Sequence, residues 1–439
     1  MHTTTNCRLS FLIVLLSASA IGQDQSSHGL LPIRTHGGAL TERAFLTGDW
    51  GGVRDRLVDR GIRYDLLWTQ TMQDVTSGGK ERGAEYGGKF EMLFNFDLDR
   101  MELLRGGLVT MRTESRYGDS VNQKSGALLA VNDVMFFPDT DGADDDLFLA
   151  VTELRYTQFL SKHLGVFLGK IITLGGDVNE FASGRGDTQF LSHSFLASSV
   201  TALVNPYSAL GAGVVWMPSP DITVTSSIFT RNDASTTTGT NELSDGLTWS
   251  TAARMQYELS ELPGGMNLAF QYSFDSDFTN FEGQFVDSGA WTIPQKEQSW
   301  NSFWNMWQYM SVEDPSHRKV DVTNGHTDLQ GYGFFARAGI ADRDTNPVSW
   351  SLSAGVGGRG MFDGRDDDTF GVGFASSKLR ENLLTSSTLI DDSASRWEAY
   401  YDFAITPAVS LTLDVQYADT LLSNVDAATV LGVRMRVSL

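Results

Sequence analysis

The stretch Leu247-Thr248-Trp249-Ser250-Thr251-Ala252-Ala253-Arg254-Met255-Gln256-Tyr257-Glu258-Leu259 alternates apolar or small side chains with mainly polar ones over thirteen residues. A period of two places successive side chains on opposite faces of a β-strand. Soluble sandwiches alternate in the same way, but their strands usually span about five or six residues, whereas about 9–11 residues cross a bilayer with tilt. The stretch therefore predicts one strand of a transmembrane β-barrel.

The same alternation recurs along most of the chain. It is clear in 88–98, 266–276 and 409–418, and weakest in 164–173 and 298–311. In all, we predict about sixteen strands, at 61–70, 88–98, 107–117, 147–160, 164–173, 210–217, 221–230, 247–259, 266–276, 298–311, 329–341, 348–358, 369–377, 396–405, 409–418 and 428–439. An even number of this size is typical of antiparallel outer-membrane barrels that enclose a channel.

The connections alternate in length, as they do in such barrels, which have short periplasmic turns and longer outer loops. Short turns lie at 160–164, 217–221 and 404–409. Long connections are predicted at 71–87, 118–146, 174–209, 231–246, 277–297 and 378–395. Two connections break the pattern: 312–328 is long for an inner turn, and 342–347 is short for an outer loop.

Composition agrees with a barrel and excludes some partners. The mean hydropathy is -0.17, which is what strands with one apolar and one polar face average to. A formal charge of -21 argues against nucleic acid, because phosphate binding needs clustered cations. Aromatic residues near the strand ends fit an interfacial girdle: Trp68, Trp216, Tyr257, Trp350, Trp397 and Tyr417.

The amino terminus reads as a secretory signal peptide at 1–20. Arg8 precedes the apolar run Leu9–Leu16, and Ala18-Ser19-Ala20 offers a cleavage site, with Gly22 as an alternative end. The single cysteine, Cys7, lies inside this segment, so sulfur chemistry is not expected of the exported chain. We expect 21–60 to form a periplasmic segment with a short helix, and 61–439 to form the barrel.

That short helix is predicted from Leu46-Thr47-Gly48-Asp49-Trp50-Gly51-Gly52-Val53-Arg54, with Asp49 capping its start and Gly61 ending it. This motif resembles the opening of the carbohydrate-selective outer-membrane porin family, the OprB type. The resemblance recurs in Tyr332-Gly333-Phe334-Phe335-Ala336-Arg337, in Gly360-Met361-Phe362-Asp363-Gly364-Arg365-Asp366-Asp367-Asp368 and in Val430-Leu431-Gly432-Val433-Arg434-Met435-Arg436. It departs from the family at Leu439, where an aromatic residue is usual, and over 277–328.

The resemblance implies a passive channel in the bacterial outer membrane for small hydrophilic solutes, above all small sugars. Its partners would be outer-membrane lipid and the outer-membrane assembly machinery, and both a homotrimer and a monomer stay open. No cofactor is implied. Two other functions remain as alternatives: an outer-membrane barrel enzyme, and a secreted soluble β-protein that binds glycans.

Charges on the polar strand faces are candidates for the pore lining, because guanidinium groups and carboxylates can hydrogen-bond sugar hydroxyls. We predict such contacts for Arg112, Glu114, Arg116, Glu153, Arg155, Arg254 and Arg337. The competing interpretation is that these charges pair with one another along the wall. On the last strand, Arg434 and Arg436 should face the lumen, while lipid should be faced by Leu431, Val433, Met435, Val437 and Leu439.

A constriction requires a loop that folds inward, and the two longest, 118–146 and 174–209, are the candidates. In the second loop Phe181, Phe190 and Phe195 stand among polar residues suited to a weak sugar site: Asp177, Asn179, Glu180, Arg185 and Asp187. An ordinary capping loop would have a similar composition.

Catalytic and metal motifs are not found in the sequence. His193 lies between Ser192 and Ser194, which is the only hint of a nucleophile with a base. The acidic residues of 139–146 do not follow the spacing of an EF-hand loop, so we predict no metal ligand there and expect a solvated acidic loop, with loosely bound surface calcium as the alternative.

Overall fold

A computed structural model describes residues 29–138, 149–202, 204–281, 285–287, 290–292, 294–314, 329–380 and 390–439. The predicted signal peptide at 1–20 and the acidic stretch at 139–146 lie outside the described residues.

Sixteen antiparallel strands form one closed barrel. The first nine are β1 (Ile62–Ser77), β2 (Gly83–Asp97), β3 (Gly107–Gly118), β4 (Ala150–Ser161), β5 (Leu164–Ile172), β6 (Ser208–Ser219), β7 (Ile222–Thr230), β8 (Leu247–Leu259) and β9 (Leu262–Phe274). Two hairpins outside the barrel follow, made of β10 (Phe278–Thr279), β11 (Phe285–Asp287), β12 (Ala290–Thr292) and β13 (Gln295–Lys296). The last seven barrel strands are β14 (Ser299–Val312), β15 (Gly331–Ala341), β16 (Val348–Arg359), β17 (Thr369–Leu379), β18 (Ser393–Thr406), β19 (Val409–Ala418) and β20 (Ala428–Ser438).

The predicted all-β barrel is confirmed, including its two weakest strands, β5 and β14. The predicted long loop at 71–87 is wrong, because only 78–82 separate β1 from β2. The ladder continues through the pairs Met72↔Tyr86 and Asp74↔Ala84. Backbone pairing therefore extends beyond the point where the apolar alternation fades.

The barrel closes where β1 pairs with β20, for example at Trp68↔Val437. We call the end at which β1 begins and β20 ends the terminal end. Apolar residues on the outer face are exposed, as Leu431 and Val433 are on β20, whereas Arg434, the residue after Val433, is buried inside. The inward and outward faces predicted for these three residues are thus confirmed, although Val437 on the outer face is buried.

A short helix, α1 (Val53–Asp59), precedes β1. Gly52 occupies its N-cap with φ 79°, so the predicted cap by Asp49 is wrong. The Asp49 carboxylate instead accepts from the Gly51 N–H at 3.1 Å, inside the preceding turn. The predicted end at Gly61 is right, since its positive φ of 85° follows the last helical turn. Helices α2 (Asn122–Ser125) and α3 (Ser199–Ala202) are single turns within loops.

Arg54 of α1 joins the amino-terminal segment to the last residue of the chain. Its guanidinium carbon lies 4.4 Å from the ring centre of Phe45 and 4.8 Å from that of Tyr64. Its Nη1 donates to the main-chain oxygen of Leu439 at 2.9 Å. The Leu46 N–H adds a bond to the Ser438 carbonyl at 2.7 Å. The segment before β1 is therefore fastened across the seam at which the barrel closes.

The residues before this helix lie against inward-facing side chains at the terminal end. The N–H groups of Leu30 and Leu31 both donate to the buried Asp97 carboxylate, at 2.5 and 2.9 Å. Arg34 forms a buried ion pair with Asp65 at 2.6 Å. Among the described residues, no helix is long and apolar enough to span a membrane.

Candidate pore constriction

Two connections fold into the lumen: 119–138, which we call inner loop 1, and 173–207, which we call inner loop 2. They bind each other through the Asp133 N–H and the Leu191 carbonyl at 2.8 Å. The rings of Phe137 and Tyr207 stack with centres 4.7 Å apart. Both loops that the sequence offered as candidates therefore fold inward and form one unit.

Phenylalanines of inner loop 2 pack against the inner face of β15–β18. The Phe190 ring lies 5.5 Å from Phe335 and 4.9 Å from Tyr400 between ring centres. Glycines on the wall make the room, since a Cβ at Gly373 would lie 2.6 Å from the Phe195 ring. The apolar side of the loop is thus buried on one arc of the barrel, and this arc fixes the position of the loop.

Arg337 on β15 is the main anchor of this side. Its Nε donates to Oδ2 of Asp177 at 2.7 Å, and its two terminal nitrogens reach the main-chain oxygens of Phe195 and Ala182 at 3.0 and 3.1 Å. One planar guanidinium can serve several acceptors at once, which a lysine cannot do in the same geometry. Arg337 and Asp177, both predicted site residues, are therefore brought together, with the wall holding the loop.

Arg434 on β20 holds the other side of inner loop 2. It is fully buried and donates to the main-chain oxygens of Gly186, Thr188 and Gln189 at 2.7, 2.6 and 2.9 Å. Thr412 on β19 accepts from its Nε at 3.0 Å and orients the guanidinium. The sequence placed Arg434 in the lumen, but its contacts with the loop could not be foreseen.

A charge cluster joins inner loop 2 to β2 and β3. Arg185 donates to Glu91 at 2.5 Å and also to Glu114, which accepts from Tyr207 at 2.8 Å and pairs with Lys89 at 3.3 Å. Burial acts to lower the pKa of Arg185, but Glu114 and Glu91 outweigh it and hold the pKa above its ordinary value. Arg185 is thus fixed as a cation between two wall carboxylates.

This cluster continues along the wall to β4. Arg112 pairs with Glu91 and lies 3.6 Å from Glu153, which in turn pairs with Arg155 at 3.1 Å. The ladder between β3 and β4 shifts register after Arg112, so that Thr152 and Glu153 are both buried. Four predicted lining residues, Glu114 included, therefore belong to one paired network.

Asn179 and Glu180 contact β14. The Asn179 amide donates to the side chain of Asn305 at 2.7 Å and to the Met306 carbonyl at 3.0 Å. Glu180 accepts from the Tyr309 hydroxyl at 2.9 Å. Both predicted loop residues thus contact the wall of the barrel.

Arg116 and Asp187 make the remaining contacts between the predicted site residues and their neighbours. Arg116 donates to the main-chain oxygens of Met135 and Phe136 in inner loop 1. Asp187 lies 3.8 Å from Arg436. Burial would raise the pKa of Asp187, but Arg436 and other nearby cations hold it below its ordinary value.

Arg254 differs from the other predicted wall arginines. It lies on the inner face of β8, with Thr223 and Asn267 as its neighbours across the ladder. Within the part of the chain that the structure describes, it makes no hydrogen bond or ion pair, and the charge that acts on it is that of Asp177. Its side chain is partly exposed to the lumen. Arg254 therefore presents an unengaged guanidinium to the channel.

Two residues that anchor the loops escaped the sequence analysis. Glu398 on β18 accepts from the N–H groups of Leu191 and Ser192 at 2.5 and 3.0 Å, and Arg396 donates to the Leu129 carbonyl at 2.7 Å. Both alternate with apolar neighbours on β18, so the period of two could have placed them in the lumen. Their loop partners could not be inferred from that period.

The hint of catalysis at His193 is not supported by its surroundings. His193 is buried, and its Nδ1 lies 2.6 Å from the Asp133 carboxylate. Its Nε2 has no hydrogen-bond partner among the described residues, so no hydroxyl stands where a serine nucleophile would. In the same part of the chain, no group of three His, Cys, Asp or Glu residues could hold a metal ion.

The fold agrees with comparisons to known proteins. The family model described as carbohydrate-selective porin, OprB family, matches residues 81–439. This chain belongs to that family. It is accordingly a porin of the outer membrane, of the carbohydrate-selective type.

Individual relatives of this porin are distant. Porin B of Pseudomonas aeruginosa is 23% identical, over 89% of this chain and 90% of its own length. The putative porin QuiX of Acinetobacter baylyi is 22% identical, over 90% of this chain and 93% of its own. The high-pH structure of Pseudomonas putida OprB has a TM-score of 0.76 at 20% identity, covering 92% of this chain and all of that one, which supports the fold.

Proposed function

We propose that the porin lets small neutral sugars diffuse passively across the outer membrane, driven by their own gradient. The observation that carries this proposal is the pairing of charges around the inner loops. Arg112 and Arg155 pair with the carboxylates of Glu91 and Glu153 on one arc, and Arg337 pairs with Asp177 on another. A narrow lumen with balanced charges favours neutral polyols, because it attracts neither cations nor anions strongly.

The seven wall residues and five loop residues named from the sequence then divide into two roles. Most of them build the constriction, since their hydrogen bonds are directed at the loop or at neighbouring wall charges. Arg254 is available for solute, because its guanidinium can donate to hydroxyl groups without breaking an existing bond. The lumen therefore needs no cofactor and no catalytic group to perform this function.

An enzyme activity is not part of the proposal. Nε2 of His193, in the buried pair with Asp133, has no hydroxyl partner among the described residues. A secreted soluble glycan-binding protein is also disfavoured, because apolar side chains such as Trp216, Leu268 and Val433 are exposed around the outside of the barrel.

We propose further that residues 1–20 are removed as a signal peptide and that 21–60, with α1, face the periplasm at the terminal end. The assembly machinery of the outer membrane would insert the barrel into the lipid. A monomer and a homotrimer both stay compatible with this arrangement.

Liposome swelling with a graded series of sugars and amino acids tests the function. We expect swelling with small sugars, a rate that falls with solute size, and slower swelling with charged amino acids. Refolded barrels that gave no swelling and no conductance step in planar bilayers would contradict the proposal.

The role of Arg254 is tested by the reversal potential in a potassium chloride gradient. Arg254→Gln should shift the channel toward cations, and the shift should shrink in high salt because screening weakens the field. Arg56→Gln, on the exposed side of α1, is the matched control that should leave the potential unchanged. Equal potentials for the parent and Arg254→Gln would remove Arg254 from the pore lining.

A further inference from the structure

The inward-facing residues of the barrel are not equally accessible. On β6, β7 and β8, residues in the middle of the strands are partly exposed on the lumen side: Gly211, Gly213, Thr225, Ser227, Ser250, Ala252 and Arg254. They are neighbours across the ladders, as the pairs Gly213↔Ser227 and Ser227↔Ser250 show. Together they form a continuous strip, which we call the open strip.

The opposite arc is closed. On β16–β19 the inward residues Ser353, Ser377, Glu398 and Gln416 are buried. The inner loops cover them, since Ser377 bonds to Ser199 of inner loop 2 at 2.9 Å and Gln416 donates to the Val131 carbonyl of inner loop 1 at 2.8 Å. The partly exposed part of the inner wall therefore lies on the β6–β8 arc and not on the β16–β19 arc.

The open strip is rich in hydroxyl groups and carries a single charge. Gly213 has no side chain, which leaves room for the Phe167 ring, because a Cβ there would lie 2.5 Å from that ring. Ser227 and Ser250 add hydroxyl groups, and Arg254 adds the one charge on the strip. Hydroxyl groups and a guanidinium can exchange hydrogen bonds with a polyhydroxylated solute in place of water.

We propose that solutes cross this porin along an off-axis path against β6–β8, between the open strip and inner loop 2, and that the path selects neutral polyhydroxylated molecules. This inference rests on the proposed porin function and locates its route. Arg254 lies on the strip and feels the charge of Asp177 on the loop, so a solute passing there meets both walls of the path.

Cysteine scanning tests the route. Cys7 is the single cysteine of the sequence, so in a Cys7→Ser background each introduced cysteine is the only thiol. Ser227→Cys and Ser250→Cys place a thiol on the open strip. Ser351→Cys and Ser377→Cys are matched controls, with the same isosteric change on buried inward positions that bond to inner loop 2.

The variants are refolded, checked for heat-modifiable mobility, and treated with a sulfonate-bearing methanethiosulfonate reagent. We expect the two strip thiols to react quickly and glucose-driven swelling to fall severalfold after labelling, whereas the two controls react slowly and keep the parent rate. Thr225→Cys is the substitute if either strip variant fails to fold.

Two results would overturn the path: controls that label as fast as Ser227→Cys, or a fully labelled strip variant that still swells at the parent rate. A failure of the porin function itself has a different signature. In that case the unlabelled Cys7→Ser protein would show neither swelling nor conductance, whichever positions react.

Discussion

Arg337 and Asp177 form an ion pair at 2.7 Å with side chains that are 2% and 11% exposed, so a wall strand and an inward loop share a nearly buried pair of charges. Burying two charges is unfavourable unless their hydrogen bonds are completed. Here the main-chain oxygens of Phe195 and Ala182 complete those of the guanidinium. The pair therefore specifies where the loop lies.

Removing one partner should leave the other charge buried and unpaired. We expect Arg337→Met or Asp177→Leu to lower the free energy of unfolding by about 3–5 kcal/mol, and the double variant to lose less than the sum of both. Urea unfolding of the barrel in detergent, followed by tryptophan fluorescence, measures this. Additive losses would mean that the two charges act independently.

Replacing Arg434 should loosen inner loop 2 without removing a charge. Arg434→Lys keeps the cation but cannot reach three main-chain oxygens in one plane. We expect larger and noisier single-channel currents, and faster trypsin cleavage after Arg185. Arg436→Lys is the control, because within the described part of the chain Arg436 has only a 3.8 Å pair with Asp187. Equal currents and cleavage in both variants would contradict this role.

The stability of the amino-terminal segment should depend on pH through His36. Burial lowers the pKa of His36, and Arg54 and Arg34 act in the same direction, although the bond to Asp55 opposes them. The unfolded imidazole binds its proton near pH 6.5 and the folded one only at lower pH. The contribution of His36 to the free energy of unfolding is therefore fully present above about pH 6.5, and it is lost as the pH falls through the lowered folded pKa.

Thermal unfolding between pH 7.5 and pH 5 measures this effect, together with limited proteolysis of the segment before β1. His36→Gln should flatten the dependence, whereas the control His163→Gln, at the turn between β4 and β5, should preserve it. A pH profile unchanged by His36→Gln would assign the response to another group.

A charged residue on the outer face of β20 should destabilise the barrel. Val433 is 41% exposed on that face. Val433→Arg should lower the free energy of unfolding by about 2–4 kcal/mol if the site lies near the bilayer midplane. Refolding into lipid bilayers at graded urea measures the loss, and Val433→Leu is the control for a change of shape. If Val433→Arg caused no loss of stability, residue 433 would not be in contact with lipid.

The strands could be predicted from sequence because the period of two depends on each residue and its immediate neighbours. β8 was correct at both ends, Leu247 and Leu259. The predicted β1 ended at residue 70, although the strand continues to Ser77. Its outward residues Gln70 and Asp74 are polar, so the apolar alternation stops before the ladder does. Apolar alternation thus marks the membrane-facing part of a strand and not its full length.

The contacts of the inner loops were harder to predict from the sequence. Composition predicted 174–209 as a candidate inward loop, but it did not predict that Asn179 would bind Asn305, far away in the sequence. Such contacts depend on how the loop folds against a closed wall. Arg254 looked like the other wall arginines, and its lack of a partner among the described residues follows only from which arc the loops cover.

The bond from Arg54 to Leu439 has a consequence for how the barrel comes apart. A closed barrel has no free edge, so unravelling must begin by parting one pair of neighbouring strands. At the seam between β1 and β20, Arg54 joins the segment before β1 to Leu439. This bond should therefore slow the opening of the seam and lengthen the lifetime of the folded porin.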